Sequence, residues 1–374
     1  MTRLVVHLID ANADTAYFRA IARHTDAGQV SVAIGCLAAP GPLQESMARL
    51  GARSFALGAT RRLGYPLAAV RLAARLRTWR ANVLHAHCFD ATVVGLIAAR
   101  LAGVPFVFTR HHSDHNLRLG KRWHTRIDSF CARHADRVIA VSEATRRVLL
   151  DIERVPEGNV VVVYNGMEPL AAADVGTVAQ VRRALAIGDG VRVCLTVARL
   201  HEEKGHAVLF RAIPQVVAQC GPTVCLLAGD GPHRNAIVRA AADLGIAEHV
   251  RFLGRRDDIP ALLGVADVAV LPSLAESFGF AALEAMSLGV PVVASATGGL
   301  PEVVSDGATG LVVPVGDADA LATAIVKVLK DRGLAATLGR AGRERSRLFG
   351  AERMLRGYEQ IYRTLWPGAR SEAV

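Results

Sequence analysis

Short β-branched runs alternate with longer amphipathic stretches along the whole chain, and this alternation predicts βα units with parallel sheets. In the first half the pattern predicts strands over 4–9, 30–36, 83–87, 106–109, 137–141 and 160–164. Helices fall between them, over 65–79, 91–101 and 143–151, with Ser142 placed to cap the last. Residues 168–176 have turn composition and no period, and read as a linker. The alternation then restarts, with strands over 191–198, 223–228, 250–253, 268–271, 290–294 and 311–313. Helices include 235–244 and 318–330, and Asp317-Ala318-Asp319 reads as a helix start rather than a metal motif. The expected architecture is α/β, with two doubly wound, Rossmann-like domains facing across a cleft. One domain spans 1–170 and the other 171–345. A terminal helix within 346–374, about 352–365, lies beyond the second pattern and is expected to pack back on the first domain. Open parallel sheets bind ligands beyond the carboxyl ends of their strands, so those ends are where chemistry is sought.

Composition narrows the class. The chain has 374 residues, 51% hydrophobic, with 34 Gly and 15 Pro, which excludes disordered, collagenous and coiled-coil classes. Six Cys are scattered, the closest pair spaced C-x4-C, which excludes a disulfide scaffold and the usual zinc spacings. Thr2 to Ile9 reads as a first strand rather than a signal peptide, and the best apolar window, 91–108, is cut by Arg100. These features together predict a reducing, cytoplasmic location.

Charge is unevenly placed. The net +10 lies almost wholly in residues 1–170, which carry 22 Lys+Arg against 13 Asp+Glu. No acidic residue occurs between Glu45 and Asp90, while Arg53, Arg61, Arg62, Arg71, Arg75, Arg77 and Arg80 do. Such a face attracts phosphates or an anionic membrane surface, or is simply a solvated helix face. No nucleic-acid-binding pattern accompanies it, so nucleic acid is not an expected partner. Only four of the 44 basic residues are Lys, one of them Lys204. Arg and Lys differ in geometry and hydration, so a Lys retained in an Arg-rich chain suggests a specific use.

The second half holds the candidate chemistry. Arg199-Leu200-His201-Glu202-Glu203-Lys204-Gly205 follows a strand end and puts two cations five residues apart, suited to a diphosphate. A surface loop with charged pairs would look similar. Gly229-Asp230-Gly231-Pro232 follows the next strand as a strand-to-helix turn. Glu276-Ser277-Phe278-Gly279-Phe280-Ala281-Ala282-Leu283-Glu284 is the sharpest element. Ser277 is expected to cap a helix running to about Leu288, with free amides near Phe278–Ala281 that favour an anion. Glu276 precedes that helix and Glu284 sits two turns inside it, so the two carboxylates would reach different parts of an extended ligand and accept hydrogen bonds from its hydroxyls.

These pieces, with Phe252-Leu253-Gly254 and Gly298-Gly299-Leu300-Pro301-Glu302, closely resemble the second domain of the retaining family-4 glycosyltransferases (GT4), which have the GT-B fold. Weaker similarity extends to Asn165-Gly166 and to His85–His87. The resemblance implies that Arg199 and Lys204 hold the diphosphate of a nucleoside-diphosphate sugar, most commonly a UDP-sugar. It implies that Glu284 binds the ribose and that Glu276 sits at the donor sugar, with the amides of Phe278, Gly279 and Phe280 nearby. The nucleobase would lie near Arg255, with Gly229 and Gly231 lining the site and Asn165 among the binding residues. Fixed cations would replace the metal that other transferase folds use, so no metal and no cofactor are expected, the nucleotide-sugar being a substrate.

The family's first domain binds the acceptor and usually has a Gly-Gly loop after its first strand; here Asp10 to Thr15 contains no Gly. After strand 106–109 comes Arg110-His111-His112-Ser113-Asp114-His115, and His112 is favoured over His111 as the donor-sugar contact that the resemblance implies. His85 and His87 alternate on one strand and read equally as core or contact residues. In 67–80, Leu67, Val70, Ala74 and Trp79 form an apolar set against Arg71, Arg75 and Arg77, read as core packing or as a face that touches a membrane peripherally. The implied activity is hexosyl or N-acetylhexosaminyl transfer to an acceptor hydroxyl on a glycan, a lipid-linked glycan or a secondary metabolite. The charge excess of the first half adds the expectation that the acceptor, or the surface presenting it, is anionic. A nucleotide-sugar epimerase of the same fold, and a non-catalytic nucleotide-sugar-binding partner protein, are the rivals.

Overall fold

The computed structural model describes residues 2–25, 30–111 and 122–366. The chain folds as two compact units, Met1–Glu168 with Phe349–Val374, and Pro169–Leu348.

The first unit is built on a seven-stranded parallel sheet: β1 (Arg3–Ile9), β2 (Val30–Cys36), β3 (Arg53–Ala56), β4 (Val83–His87), β5 (Phe106–Arg110), β6 (Arg137–Ala140) and β7 (Val160–Val162), in the order β3-β2-β1-β4-β5-β6-β7. Strands buried on both faces read as continuous apolar runs, which is why most were legible. The exception, β3, has the sequence Arg-Ser-Phe-Ala and was not expected; its in-register pairing with β2 makes it an edge strand. On one face the core includes Leu72, Leu76, Val94 and Phe106. On the other, Val5, Ile34 and Val107 pack with Met354, Leu355, Tyr358 and Ile361 of the helix Ala351–Leu365. That helix therefore completes the first unit's core. Tyr358 donates to or accepts from Tyr17 across a 2.6 Å Oη–Oη contact.

Two expected helices are corrected. Ser142 does cap its helix, accepting from the Thr145 amide at 3.1 Å, but the α-helical part is only Glu143–Arg147 and continues as a wider π turn over Val148–Ile152. In the helix Tyr65–Thr78 the buried residues are Ala68, Ala69, Leu72, Ala73 and Leu76. Leu67 and Val70 are more than half exposed, at 54% and 56%. The apolar set expected to pack in the core is thus largely the outward face. Of that set Trp79 is half-buried, edge-on to Phe55, with the Arg53 and Arg75 guanidinium groups over its ring.

The second unit has six parallel strands: β8 (Arg192–Val197), β9 (Thr223–Ala228), β10 (Val250–Gly254), β11 (Val268–Leu271), β12 (Val292–Ser295) and β13 (Leu311–Val313), ordered β10-β9-β8-β11-β12-β13. The order reverses between β8 and β11, so the crevice of this sheet opens beyond Val197 and Leu271. Asp317 caps the helix Ala318–Lys330, accepting from the Ala320 amide at 2.9 Å.

Candidate functional site

Two cavities lie at that reversal point, both within the second unit. The smaller, about 250 Å³, is lined by Thr196 to Arg199 beyond β8 and by Leu271, Pro272 and Ser273 beyond β11, with Lys204, Glu276, Phe280 and Ala281. The larger, about 680 Å³, is lined by Arg199, Gly229, Asp230, Gly231, Arg255, Arg256, Ile259 and Glu284. Val197, Ala198 and Arg199 line both. Glu276 and Glu284 therefore open onto different cavities, with Arg199 between, as an extended ligand requires.

The loops that form the larger cavity brace one another. Leu200 N–H donates to Asp230 O, His233 N–H to Leu200 O, and Gly229 N–H to Gly254 O. Gly229 has φ +146°, and a Cβ there would stand 1.9 Å from Ala198 O, so only Gly allows the β8 and β9 loops to lie this close. His201 stacks on His233 with ring centroids 4.7 Å apart, stiffening the loop that carries Arg199.

The charged groups divide into two kinds. Lys204 Nζ donates to Glu276 Oε2 at 2.7 Å, and both side chains are mostly buried, at 16% and 18% exposure. Arg199 is 63% exposed and 3.1 Å from Glu203 Oε1, so its guanidinium stands over the junction of the two cavities in reach of an arriving anion. Glu284 has its carboxyl pushed from the ordinary 4.5 up to about 7, because burial disfavours its charge. A carboxyl so raised is a recognised mark of a functional position.

The expected cap at Ser277 is overturned. The helix begins later, at Phe280–Ser287, with Gly279 as its cap residue at φ +106°. At φ +106° Gly279 cannot be a residue of a right-handed helix, so no helix can run through it from Ser277. Phe278 is 2% exposed, so its side chain belongs to the core. Phe280 and Ala281, in the helix's first turn, line the smaller cavity. Arg256 was missed by sequence reasoning. It lines the larger cavity beside the exposed Arg255 and is held by a two-pronged contact to Asp258, at 2.7 and 2.6 Å. The short Arg-x-Asp spacing was the available signal.

Asn165 lies in the first unit, 3% exposed, and its Oδ1 has no hydrogen-bond partner among the described residues. The adjoining Gly166 packs where Phe349 to Ala351 returns: its N–H donates to Met354 Sδ, and a Cβ on it would meet Gly350 O at 2.5 Å. His112 lies outside the described residues. His111 is half-buried, with Nε2 3.1 Å from His87 Nδ1. His85 and His87 are core residues of the first unit, joined by His7 from β1. Burial lowers the pKa of His7 to about 3 and that of the other two well below the usual value.

Fold and site together define a glycosyltransferase with the GT-B fold. Residues 178–345 match the family "Glycosyl transferases group 1", and residues 15–169 match "Glycosyltransferase Family 4". A D-inositol 3-phosphate glycosyltransferase of Salinispora arenicola is 32% identical over 305 residues, 75% of this chain and 68% of that one. The N-acetyl-alpha-D-glucosaminyl L-malate synthase of Bacillus anthracis is 28% identical over 285 residues, 75% and 74% of the two chains. Among solved structures, Anabaena HepE in complex with UDP and glucose superposes with TM-score 0.84 at 23% identity, over 96% of this chain and 99% of that one. The chain belongs to the glycosyltransferases, with its second unit matching the group 1 family and its first unit Family 4.

Proposed function

We propose that this protein is a retaining family-4 transferase that moves a hexosyl or N-acetylhexosaminyl group from a UDP-sugar to an acceptor hydroxyl on a glycan, a lipid-linked glycan or a secondary metabolite. The observation that carries this reading is the pair of cavities joined at Arg199, with a carboxylate in each. The larger takes the nucleoside, its ribose hydroxyls donating to Glu284 and its base beside Arg255 and Arg256, with Gly229 and Gly231 admitting the backbone closely. The diphosphate lies at the junction, met by Arg199 and Lys204. The sugar enters the smaller cavity at Glu276, beside the first-turn amides of Phe280 and Ala281. UDP is favoured because HepE, of the same fold, was solved with it.

In the reaction the bond from the anomeric carbon to the diphosphate oxygen breaks, and a bond from that carbon to the acceptor oxygen forms on the same face. The acceptor's hydroxyl proton passes to the departing diphosphate. Charge building on that leaving group is what Arg199 and Lys204 stabilise, so the reading assigns no step to a metal ion.

The outer helical layer of the first unit supports an anionic acceptor or an acceptor presented at a membrane surface. The helices Tyr65–Thr78, Phe89–Ala102 and Arg122–His134 expose Leu63, just before the first, then Leu67, Val70, Ile97, Leu101, Trp123 and Phe130. The same helices and their flanks also expose arginines, including Arg61, Arg62, Arg71, Arg77, Arg100 and Arg126. No helix among the described residues is long and apolar enough to cross a membrane. Peripheral contact from the cytoplasmic side fits this face.

The decisive experiment incubates the protein with a panel of nucleotide-sugars and acceptors and reads products by mass spectrometry. Transfer with release of UDP and retention at the anomeric carbon is expected. Conversion of the donor sugar without acceptor, followed by NMR, would instead identify an epimerase. Donor binding without turnover across the panel would identify a binding partner.

A further inference from the structure

The first unit contains a side-chain cluster that the donor-site reading does not use. β1 and β4 are neighbours at the point where the strand order of their sheet reverses, and His7 stands directly opposite His85 in their register. His87 follows two residues on, so all three side chains project to one face of the sheet. The helices Ala16–His24 and Ala351–Leu365 cover that face. The three imidazoles are at most 1% exposed. One nitrogen from each lies within 4.8 Å of the others, and His7 Nδ1 is 3.0 Å from His87 Nε2.

Ring nitrogens of His85 and His87 are already held by residues around the cluster. His85 Nδ1 is 2.6 Å from Tyr362 Oη, and His87 Nδ1 is 3.1 Å from His111 Nε2. Partners of this kind fix the tautomer and aim of a metal-ligating imidazole. Thr109 Oγ1, 2.7 Å from His85 Nε2, brings an oxygen to the cluster as well.

We infer that His7, His85 and His87 bind one divalent transition-metal ion, zinc foremost, as a structural site in the first unit. The donor set is all nitrogen, which suits zinc and its neighbours and not magnesium or calcium, which take oxygen. Tetrahedral zinc at about 2.0–2.1 Å from each ligand places the nitrogens roughly 3.3 Å apart. The 3.0 Å contact between His7 Nδ1 and His87 Nε2, with ring centroids 5.3 Å apart, is head-on, and both rings would turn from it to face the ion. Three protein nitrogens leave a fourth position for an oxygen, from Thr109 or from water. Burial in an apolar core keeps the imidazoles neutral, with lone pairs available to the ion. The ion would tie the two central strands together and, through Tyr362, anchor the returning C-terminal helix. The site lies wholly in the first unit, and the inference does not depend on the donor-site reading.

The competing arrangement is three neutral imidazoles bonded to one another and to Tyr362, Thr109 and His111 with no ion. The full chain, purified without metal resin or chelator, distinguishes the two by elemental analysis. One equivalent of zinc per chain is expected, falling below about a tenth in His87→Gln but unchanged in the surface variant His134→Gln. Because His87→Gln could fail to fold, the wild-type chain is also stripped with a chelator and titrated with zinc chloride. Its Tm should rise by roughly 5 °C or more at saturation. A wild-type chain that takes up no zinc and whose Tm is indifferent to zinc overturns the inference. So does a folded His87→Gln with the wild-type metal content.

Discussion

Lys204 and Glu276 stand 72 positions apart in the chain and 2.7 Å apart in the structure. In the absence of ligand each neutralises the other in a mostly buried setting. In the proposed reading, an arriving diphosphate would compete with Glu276 for the ammonium, and a sugar hydroxyl would compete with Lys204 for the carboxylate. The pair would then exchange one internal contact for two with the ligand.

Lys204→Ala removes a fixed cation from the leaving group and leaves Glu276 without its partner. Turnover should fall about 10²–10³-fold, the usual cost of losing one charge-stabilising group. Glu276→Gln keeps the shape and loses the charge, and should reduce turnover similarly. The double variant should be no worse than the poorer single one, because partners in contact do not contribute additively. Steady-state UDP release, with Tm measured beside it, checks this. Wild-type rates in folded single variants would remove both residues from the site.

Glu284 gives a pH test with a defined sign. Its carboxyl titrates at about 7 in the free protein, and the ionised form is the better acceptor for ribose hydroxyls. UDP affinity should be maximal above about pH 8 and weaken by up to about tenfold per unit below 7. Calorimetry on wild type and Glu284→Gln separates this from titration of the phosphate, since only the glutamate's share disappears in the variant. Stability runs the other way. A carboxyl raised above its unfolded value of 4.5 holds its proton more tightly when folded, so ionising it between 4.5 and 7 costs stability. At pH 8 the ligand-free Glu284→Gln should melt higher than wild type and bind UDP more weakly. That is the trade expected where binding strains a fold.

Much of this was legible because parallel strands, buried on both faces, announce themselves as apolar runs bounded by turns. β4, β9, β11 and β13 have the limits that the pattern gives. β3 was illegible because an edge strand of four residues, two of them Arg and Ser, has no such run. The face of Tyr65–Thr78 was misread because the core there is mostly alanine, while the larger Leu67 and Val70 point outward. The buried stripe mixes Ala68, Ala69 and Ala73 with Leu72 and Leu76, so side-chain size does not mark the inward face. His7 was missed for another reason. It joins His85 through strand pairing across 78 residues, and nothing local in its sequence marks it.

The exposed face that carries Leu67 and Val70 yields a prediction of its own. If it meets an anionic surface, vesicles rich in acidic lipid should sediment the protein at low salt. Binding should fall steeply as salt shortens the screening length to about 8 Å near 0.15 M. Leu67→Ser with Val70→Ser should weaken the salt-resistant part of binding and leave Tm nearly unchanged, since both side chains are outside the core. Equal recovery with neutral and acidic vesicles would reduce the arginines to a solvated face.

Gly298 tests how the loop that bears Glu276 is held. It sits at φ +52°, and a Cβ added there would fall 1.4 Å from Glu276 O, which no side-chain adjustment can relieve. The next amide, Gly299 N–H, donates to that same carbonyl at 3.3 Å. The Gly-Gly pair thus clasps the Glu276 backbone from beneath. Gly298→Ala must displace the loop and with it the Glu276–Lys204 contact, while the cavity that holds Glu284 and Arg255 is built from other loops. The variant should therefore keep UDP affinity within a few-fold of wild type and lose turnover nearly as far as Glu276→Gln does. Calorimetric UDP binding set against product formation separates the two effects. Parallel loss of both would mean that the substitution unfolds the second unit rather than shifting one loop.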